Sequence, residues 1–353
     1  MNRGFWKGKR VLVTGHTGFK GSWLCLMLEK LDAEIFGFSL SPDDQASMFE
    51  LIGLEAQLNR HCLGDIRNFD QVREFIQYVK PEIIFHLAAS SLVIPALKLP
   101  TEAISTNVLG TTNLLEAFRN LAGKACFINV TTDKCYFNEG SVWPFRETDR
   151  LGGKDPYSGS KACAEIIAET FWHAYLEDQG AKGLACVRAG NVIGGGDFSP
   201  YRLIPDLVRA IKNQCHLEVR NPESVRPWQH VLEPLTGYIT LAEKLYEQPR
   251  DFSGPWNFGP AIDDSLSVMG LLDEFKIRFP ELRYKTQSSD YKEAHSLQLD
   301  STKAKSMLGW RTRWNSSTTV GKTAQWFQAY LSGSTDLHSL TNQQISDFFV
   351  EAK

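Results

Sequence analysis

No apolar run in this chain approaches the ~18 residues that would cross a bilayer, and Met1 to Gly8 carries no apolar stretch of the signal-peptide kind. No block of like charge is present, and a formal net charge of −3 gives no surface suited to nucleic acid. Internal repeats and low-complexity segments are missing. Cysteine is sparse: seven residues among 353, odd in number, scattered and never in C-x-x-C spacing. That argues against a disulfide framework and a thiolate metal site, and for reduced, mostly buried thiols. The expectation is a soluble cytoplasmic protein with no metal, no membrane partner and no nucleic acid. What is present, 42% hydrophobic and 22% charged residues, is ordinary for a globular chain long enough for two domains or one large α/β unit.

The most informative stretch lies near the N-terminus. Lys9 to Val13 is a short apolar run of the buried parallel-strand type, followed by Gly15, Gly18 and Gly21 and then an apolar helical pattern from Trp23 to Leu31. Glycine at a strand-to-helix turn lets the chain bend sharply and lets backbone N–H groups approach a pyrophosphate, which then sits at the positive end of the helix. The reading is a dinucleotide site. A second strand, Glu34 to Phe38, ends at Ser39, with neither the acidic residue that holds a ribose nor an arginine for a 2′-phosphate, so NAD against NADP stays open on these residues alone.

Strand and helix patterns then alternate: a short strand from His61 ending at Asp65, a helix from Asn68 to Val79, and a strand from Ile83 to Ala89 ending in small residues. A long helix from Thr101 to Leu121, a strand from Ala125 to Val130, a helix opening at Asp155 and a strand from Leu184 to Arg188 follow. The fold class is α/β, a doubly wound parallel sheet of Rossmann type with a smaller C-terminal substrate-binding domain. Residues 1–190 would form the nucleotide-binding domain, with a returning segment near 231–260, and residues 191–353 mainly the other.

Tyr157 and Lys161 lie four apart at a helix start, on one face. A nearby ammonium favours the phenolate, so Lys161 is expected to lower the tyrosine and let Tyr157 take a hydroxyl proton as hydride leaves the same carbon. Thr132 at a strand end would bond the same oxygen. Asp133 and Lys134 add a second acid and base, which a plain dehydrogenase does not need and an elimination does.

Six motifs carry a family resemblance over most of the chain, from Phe5 to about Trp314. They are Gly15-His-Thr-Gly-Phe-Lys-Gly-Ser22, Thr132-Asp-Lys-Cys-Tyr136, Gly152-Gly-Lys-Asp-Pro-Tyr-Ser158, Gly190-Asn-Val-Ile-Gly-Gly-Gly-Asp197, Arg226-Pro-Trp-Gln-His-Val-Leu-Glu-Pro234 and Glu293-Ala-His295. The chain resembles the CDP-D-glucose 4,6-dehydratases, nucleotide-sugar enzymes of the extended short-chain dehydrogenase/reductase superfamily. The Thr-Asp-Lys triplet is the telling one, since related dTDP-glucose enzymes read like Thr-Asp-Glu there.

The resemblance implies NAD as cofactor, CDP-glucose or a related nucleotide sugar as substrate, a homodimer or homotetramer, and a place in deoxysugar synthesis of the kind that feeds lipopolysaccharide O-antigen. It implies that Tyr157, Thr132 and Lys161 serve oxidation at C4, that Asp133 protonates the leaving C6 hydroxyl and that Lys134 takes the C5 proton. A lysine near pKa ~10.4 must be depressed to act as a base. It places Gly15, Thr17, Gly18, Phe19, Lys20, Gly21, Asp65, Ile66, Ala88, Ala89 and Asn107 at the cofactor, together with Tyr157 and Lys161. Asn191, Arg202, Leu203, Arg226, His230 and His295 fall to the substrate, with Trp228 read as core. The chain departs from the family in Ser90 to Leu97, which lacks an expected arginine and tyrosine, and at Phe137, Pro144 and Ser296. The first and last of these leave the sugar, and the nucleotide, open.

Overall fold

The computed structural model describes residues 1–42, 46–261, 264–286 and 297–350. Seven strands form one parallel sheet: β1 (Arg10–Thr14), β2 (Glu34–Ser39), β3 (Arg60–Leu63), β4 (Ile83–His86), β5 (Ala125–Val130), β6 (Lys182–Ala189) and β7 (Gly254–Phe258). Their order is β7-β6-β5-β4-β1-β2-β3, every neighbouring pair being parallel. The winding reverses between β1 and β4, and in such sheets ligands bind beyond the strand ends at that reversal.

Both faces of the sheet are covered, which is why its strands read as continuous apolar runs. Along β1, Val11 and Val13 enter one core and Leu12 the other. The helix Phe19–Glu29 is buried without a break from Gly21 to Leu28, because it lies between the sheet and the C-terminal half. β7 comes from the second half of the chain and pairs with β6 through Trp256 opposite Val187.

Several elements differ from the sequence expectation. β3 stops at Leu63 and not Asp65, since its partner β2 ends at Ser39 and Gly64 N–H closes the ladder on the Ser39 carbonyl at 2.8 Å. The long helix is Pro100–Ile104 and Gly110–Arg119 joined by a π-turn, Ser105–Leu109. Around the sheet's C-terminal edge the helices Leu203–Lys212, Val268–Arg278, Ser316–Leu331 and Leu337–Val350 carry three two-stranded pairs. Among the described residues no helix is long and apolar enough to cross a membrane.

Candidate active site

The glycine turn follows β1. Gly15 has φ +74°, and a Cβ there would stand 2.7 Å from the Ala88 amide nitrogen. At Gly21 a Cβ would stand 2.1 Å from the Gly15 carbonyl oxygen, so the helix start rests on the turn backbone to backbone. Gly18 caps the helix, is exposed and makes no side-chain cap bond, which leaves first-turn amides facing outward for an anion. Thr17 is tied to Ser39 Oγ (2.8 Å) and donates to the Leu40 carbonyl (3.2 Å). Phe19 and Lys20 open the helix, Phe19 against Gly194. Ala88, beyond β4, donates its N–H to Thr14 Oγ1 at 3.3 Å, and with Ala89 leaves a half-buried, small-residue floor. A tight glycine cradle, an uncapped helix start and this floor fit a dinucleotide.

β5 ends directly beside it. Thr132 donates to Asp133 Oδ1 (3.1 Å), accepts from the Lys134 N–H (3.3 Å) and is hydrogen-bonded to the Tyr157 hydroxyl. Tyr157 is placed by the Asp155 cap, whose Oδ1 accepts from Tyr157 N (2.9 Å) and Ser158 N (3.1 Å) at the start of the helix Pro156–Phe171. Pro156 occupies the first helical position, where its missing N–H does no harm. Lys161 runs down the same helix and donates to the Val130 carbonyl at 3.0 Å.

Burial dominates the electrostatics. It pushes Tyr157 up to about 12, against the Thr132 hydrogen bond and the Arg202 cation. The expected lowering of Tyr157 by Lys161 is therefore not the resting balance: desolvation outweighs the cations and the ammonium is engaged with a backbone carbonyl. Lys161 falls to about 8, burial outweighing the attraction of Glu165. Asp133 is raised above the usual carboxylate range by burial, opposed by Lys134, Thr132, Lys20 and Arg226. A buried acid of this kind holds a proton longer, which suits a donor. Lys20 is lowered to about 8 by burial and by Arg202.

Thr132, Asp133, Lys134, Tyr157 and Lys20 open into one cleft of about 330 Å³, together with Asn191, Asp197, Arg202, Leu203 and Arg226. Arg202 donates to Asp197 Oδ2 at 3.0 Å, and Arg226 to the Val225 carbonyl at 2.9 Å. Both leave guanidinium surface lining a cleft suited to phosphate oxygens. Trp228 is buried at its edge, donating to the Leu266 carbonyl at 3.1 Å. A second groove of about 450 Å³ between Val268–Arg278 and Ser316–Leu331 holds none of these groups.

Three expected residues stand elsewhere. His230 is fully buried, its ring 5.5 Å from Trp23 and 4.8 Å from Trp314, accepting from Leu232 N–H; the core holds it away from the cleft. Asn107 is buried in the π-turn and grips Ser90 N (2.8 Å), Ser90 O (3.0 Å) and Ser160 Oγ (2.8 Å), so it fixes the loop after β4 instead of presenting a free amide to a cofactor. The Ile66 side chain packs over Gly110 in the core, where an added Cβ would stand 2.5 Å away, and its carbonyl accepts from Asn113. Asp65 stays half-buried beyond β3, held below the usual carboxylate range by Arg67, with contacts of 2.5–3.1 Å. His295 lies outside the described residues.

Two features escaped the sequence reading. Asp197 holds Arg202, and its signal was the acidic residue closing the triple-glycine run. Behind the site, Arg188 grips the Glu165 carboxylate (2.8 Å to each oxygen), which also accepts from Thr131 Oγ1 at 2.5 Å. Glu165 sits four residues after Lys161, and that spacing was its only trace in the sequence.

Residues 12–323 match a family model described as GDP-mannose 4,6 dehydratase. The chain belongs to that family. Its relatives include the CDP-glucose 4,6-dehydratase of Salmonella typhimurium, 44% identical over 99% of this chain and 98% of that one. Among solved structures it superposes on UDP-glucose-4-epimerase from Stenotrophomonas maltophila with bound NAD (TM-score 0.80, 21% identity, 92% of this chain and 99% of that one). It also matches the dTDP-glucose 4,6-dehydratase of Bacillus anthracis in complex with NAD (TM-score 0.76, 21% identity, 94% of this chain and 100% of that one). At that identity the structural likeness is one of fold. Asp133 and Lys134 thus line the cleft of a chain that belongs to a dehydratase family.

Proposed function

We propose that this enzyme converts CDP-D-glucose to CDP-4-keto-6-deoxy-D-glucose and water, with NAD as a resident cofactor. The observation that carries it is the grouping of Thr132, Asp133, Lys134 and Tyr157 on one cleft wall, in a chain 44% identical throughout to a CDP-glucose 4,6-dehydratase. The glycine turn, the Phe19–Glu29 helix start and the Ala88–Ala89 floor would hold the cofactor. When bound there, NAD would supply hydride acceptance at C4 and hydride return at C6, so no external oxidant would be consumed.

Tyr157 takes the proton of the C4 hydroxyl, with Thr132 bonded to the same oxygen. The resulting C4 carbonyl acidifies C5–H. Lys134 removes the C5 proton while Asp133 protonates the C6 hydroxyl, and the C6–O bond breaks to release water. Asp133 can do this because burial keeps it protonated longer than a surface carboxylate. Lys161, one helical turn after Tyr157, would favour the phenolate through its positive charge. Arg202 and Arg226 neutralise the diphosphate.

A second reading keeps the reaction and changes the sugar nucleotide. Ser91, Leu92, Val93 and Ile94 line the cleft where an arginine and a tyrosine were expected, giving it an apolar wall. Incubation with CDP-glucose, and in parallel with UDP-, GDP- and dTDP-glucose, separates the two by which nucleotide sugar loses water.

We also read the enzyme as cytoplasmic, all seven cysteines being free, and as serving deoxysugar synthesis for surface polysaccharide. Residues 1–190 with 231–260 serve the cofactor and the remainder mainly the substrate. Self-association through the helices Pro100–Arg119 and Pro156–Phe171 is supported by the exposed Ile104, Leu109 and Ile166. Light scattering of the purified protein reads the stoichiometry.

A further inference from the structure

The cleft loop from Gly194 to Arg202 has an unusual support. Gly194, Asp197, Tyr201 and Arg202 face the cleft. On the loop's other side, the Trp326 indole lies so close to Gly195 that a Cβ there would stand 2.0 Å from the ring. The Gly195 carbonyl is fixed from below by Trp23 Nε1 at 2.9 Å. Phe198 inserts among Trp326, Phe327 and Tyr330, with ring centroids 6.3, 6.0 and 5.0 Å away. Between these two anchors stands Asp197, buried, with Oδ1 accepting from Ser199 N–H (3.0 Å) and Oδ2 from Arg202 (3.0 Å).

Trp326 is itself locked from behind. Its Nε1–H donates to Thr341 Oγ1 at 2.9 Å, and Thr341 in turn donates to the Leu337 carbonyl at 2.7 Å. Both residues are fully buried. The helix Leu337–Val350 that supplies Thr341 is seated by Lys322–Asp347 (2.6 Å), by Gln344 to the Lys322 carbonyl (2.9 Å) and by Phe348 edge-on to Trp314 (4.9 Å). Trp326 and this helix lie beyond residue 323, where the family match ends.

We propose that Trp326, held by Thr341 of the terminal helix, is a positioning residue for Arg202, and that the terminal helix is the brace that aims this arginine at the substrate diphosphate. The inference rests on reading Arg202 as a diphosphate ligand. An indole face against a Cβ-less residue sets the height of the loop, and the Asp197 carboxylate passes that placement to the guanidinium. The glycine is required at 195 because no other residue admits the ring. The Nε1 bond matters because it fixes the ring's rotation as well as its depth.

The test uses the full-length protein and the variants Thr341→Val and Thr341→Ser. Valine keeps the volume and loses the acceptor; serine keeps the acceptor. Amide exchange over residues 194–202 and steady-state kinetics with CDP-glucose are read together. The expected result for valine is faster exchange confined to that loop and a KM raised about fivefold, the scale of one buried hydrogen bond, with kcat within about twofold of wild type. Serine restores both. Should the valine variant fail to fold, Trp326→Phe keeps a ring under Gly195, removes the donor and gives the same readouts. Unchanged exchange in the loop, or a rise spread evenly over the protein with KM unaltered, overturns the proposal. If wild type leaves CDP-glucose untouched, the substrate assignment falls by itself, and loop-confined exchange still decides the brace.

Discussion

Lys161 donates to the Val130 carbonyl at 3.0 Å, joining the tyrosine-bearing helix to the last residue of β5, the strand that delivers Thr132. One ammonium therefore ties the helix of Tyr157 to the strand that leads to Thr132, besides the role proposed for it beside Tyr157. Lys161→Met removes both roles. The expected outcome is a loss of about 10²-fold or more in kcat and a loss of about 1–3 kcal/mol of stability from the orphaned carbonyl. Rate assays and denaturant titration check the two separately.

Asp133→Asn keeps the shape and the Thr132 contact but cannot protonate the leaving hydroxyl. Oxidation at C4 should survive and elimination should slow by about 10²–10⁴-fold. The variant should then build up a 4-keto-hexose nucleotide that has not lost water, detectable by mass spectrometry of quenched reactions. Equal loss of both steps contradicts the assignment.

Tyr157, pushed up to about 12, carries phenolate in only about one molecule in 10⁵ at neutral pH. Its ionised fraction rises tenfold for each pH unit below that value. Where proton removal at C4 limits the rate, kcat should climb from pH 7 to 9 and not level off near neutrality. A profile flat across this range would show that binding substrate or cofactor has already lowered the phenol.

Three buried histidines predict acid sensitivity. His16 is lowered to about 4 by burial, and His86 and His230 to about 3, while the unfolded chain titrates near 6.5. Their stabilising contribution is complete above about pH 6.5 and falls as pH drops toward 4 and 3, because the unfolded state binds protons the core refuses. Each contributes about 2 kcal/mol of loss by pH 5. Urea unfolding at pH 7 and 5 measures the slope. His230→Phe should flatten it while leaving the KM for nucleotide sugar within about twofold, as its place among Trp23 and Trp314 requires.

The Arg188–Glu165 pair is buried on both sides. Glu165→Gln leaves a guanidinium without its anion in the core and should cost about 3–5 kcal/mol. It also withdraws the negative charge opposing the fall of Lys161, so the lysine should titrate lower still.

Strands such as β1, β5 and β6 were legible because sheet strands covered on both faces read as unbroken apolar runs, and Gly15 and Gly21 because a tight strand-to-helix turn demands them. The grouping around Thr132 and Tyr157 followed from strand ends and helix spacing. What sequence could not convey were consequences of three-dimensional enclosure. His230 neighbours Arg226 along the chain, yet the strand pair Val192–Ile193 with Gln229–His230 turns it into the core. Asn107 reads as a free amide until the π-turn brings Ser90 and Ser160 onto it. The direction of Tyr157 depended on how much solvent the folded site excludes, which spacing to Lys161 does not encode.

The most direct measurement is mass spectrometry of CDP-glucose after incubation with the purified enzyme, with NAD monitored in the same sample. The account predicts loss of one water from the sugar nucleotide and no net consumption of NAD. CDP-glucose recovered unchanged, or a keto sugar formed with stoichiometric reduction of NAD and no loss of water, would contradict it.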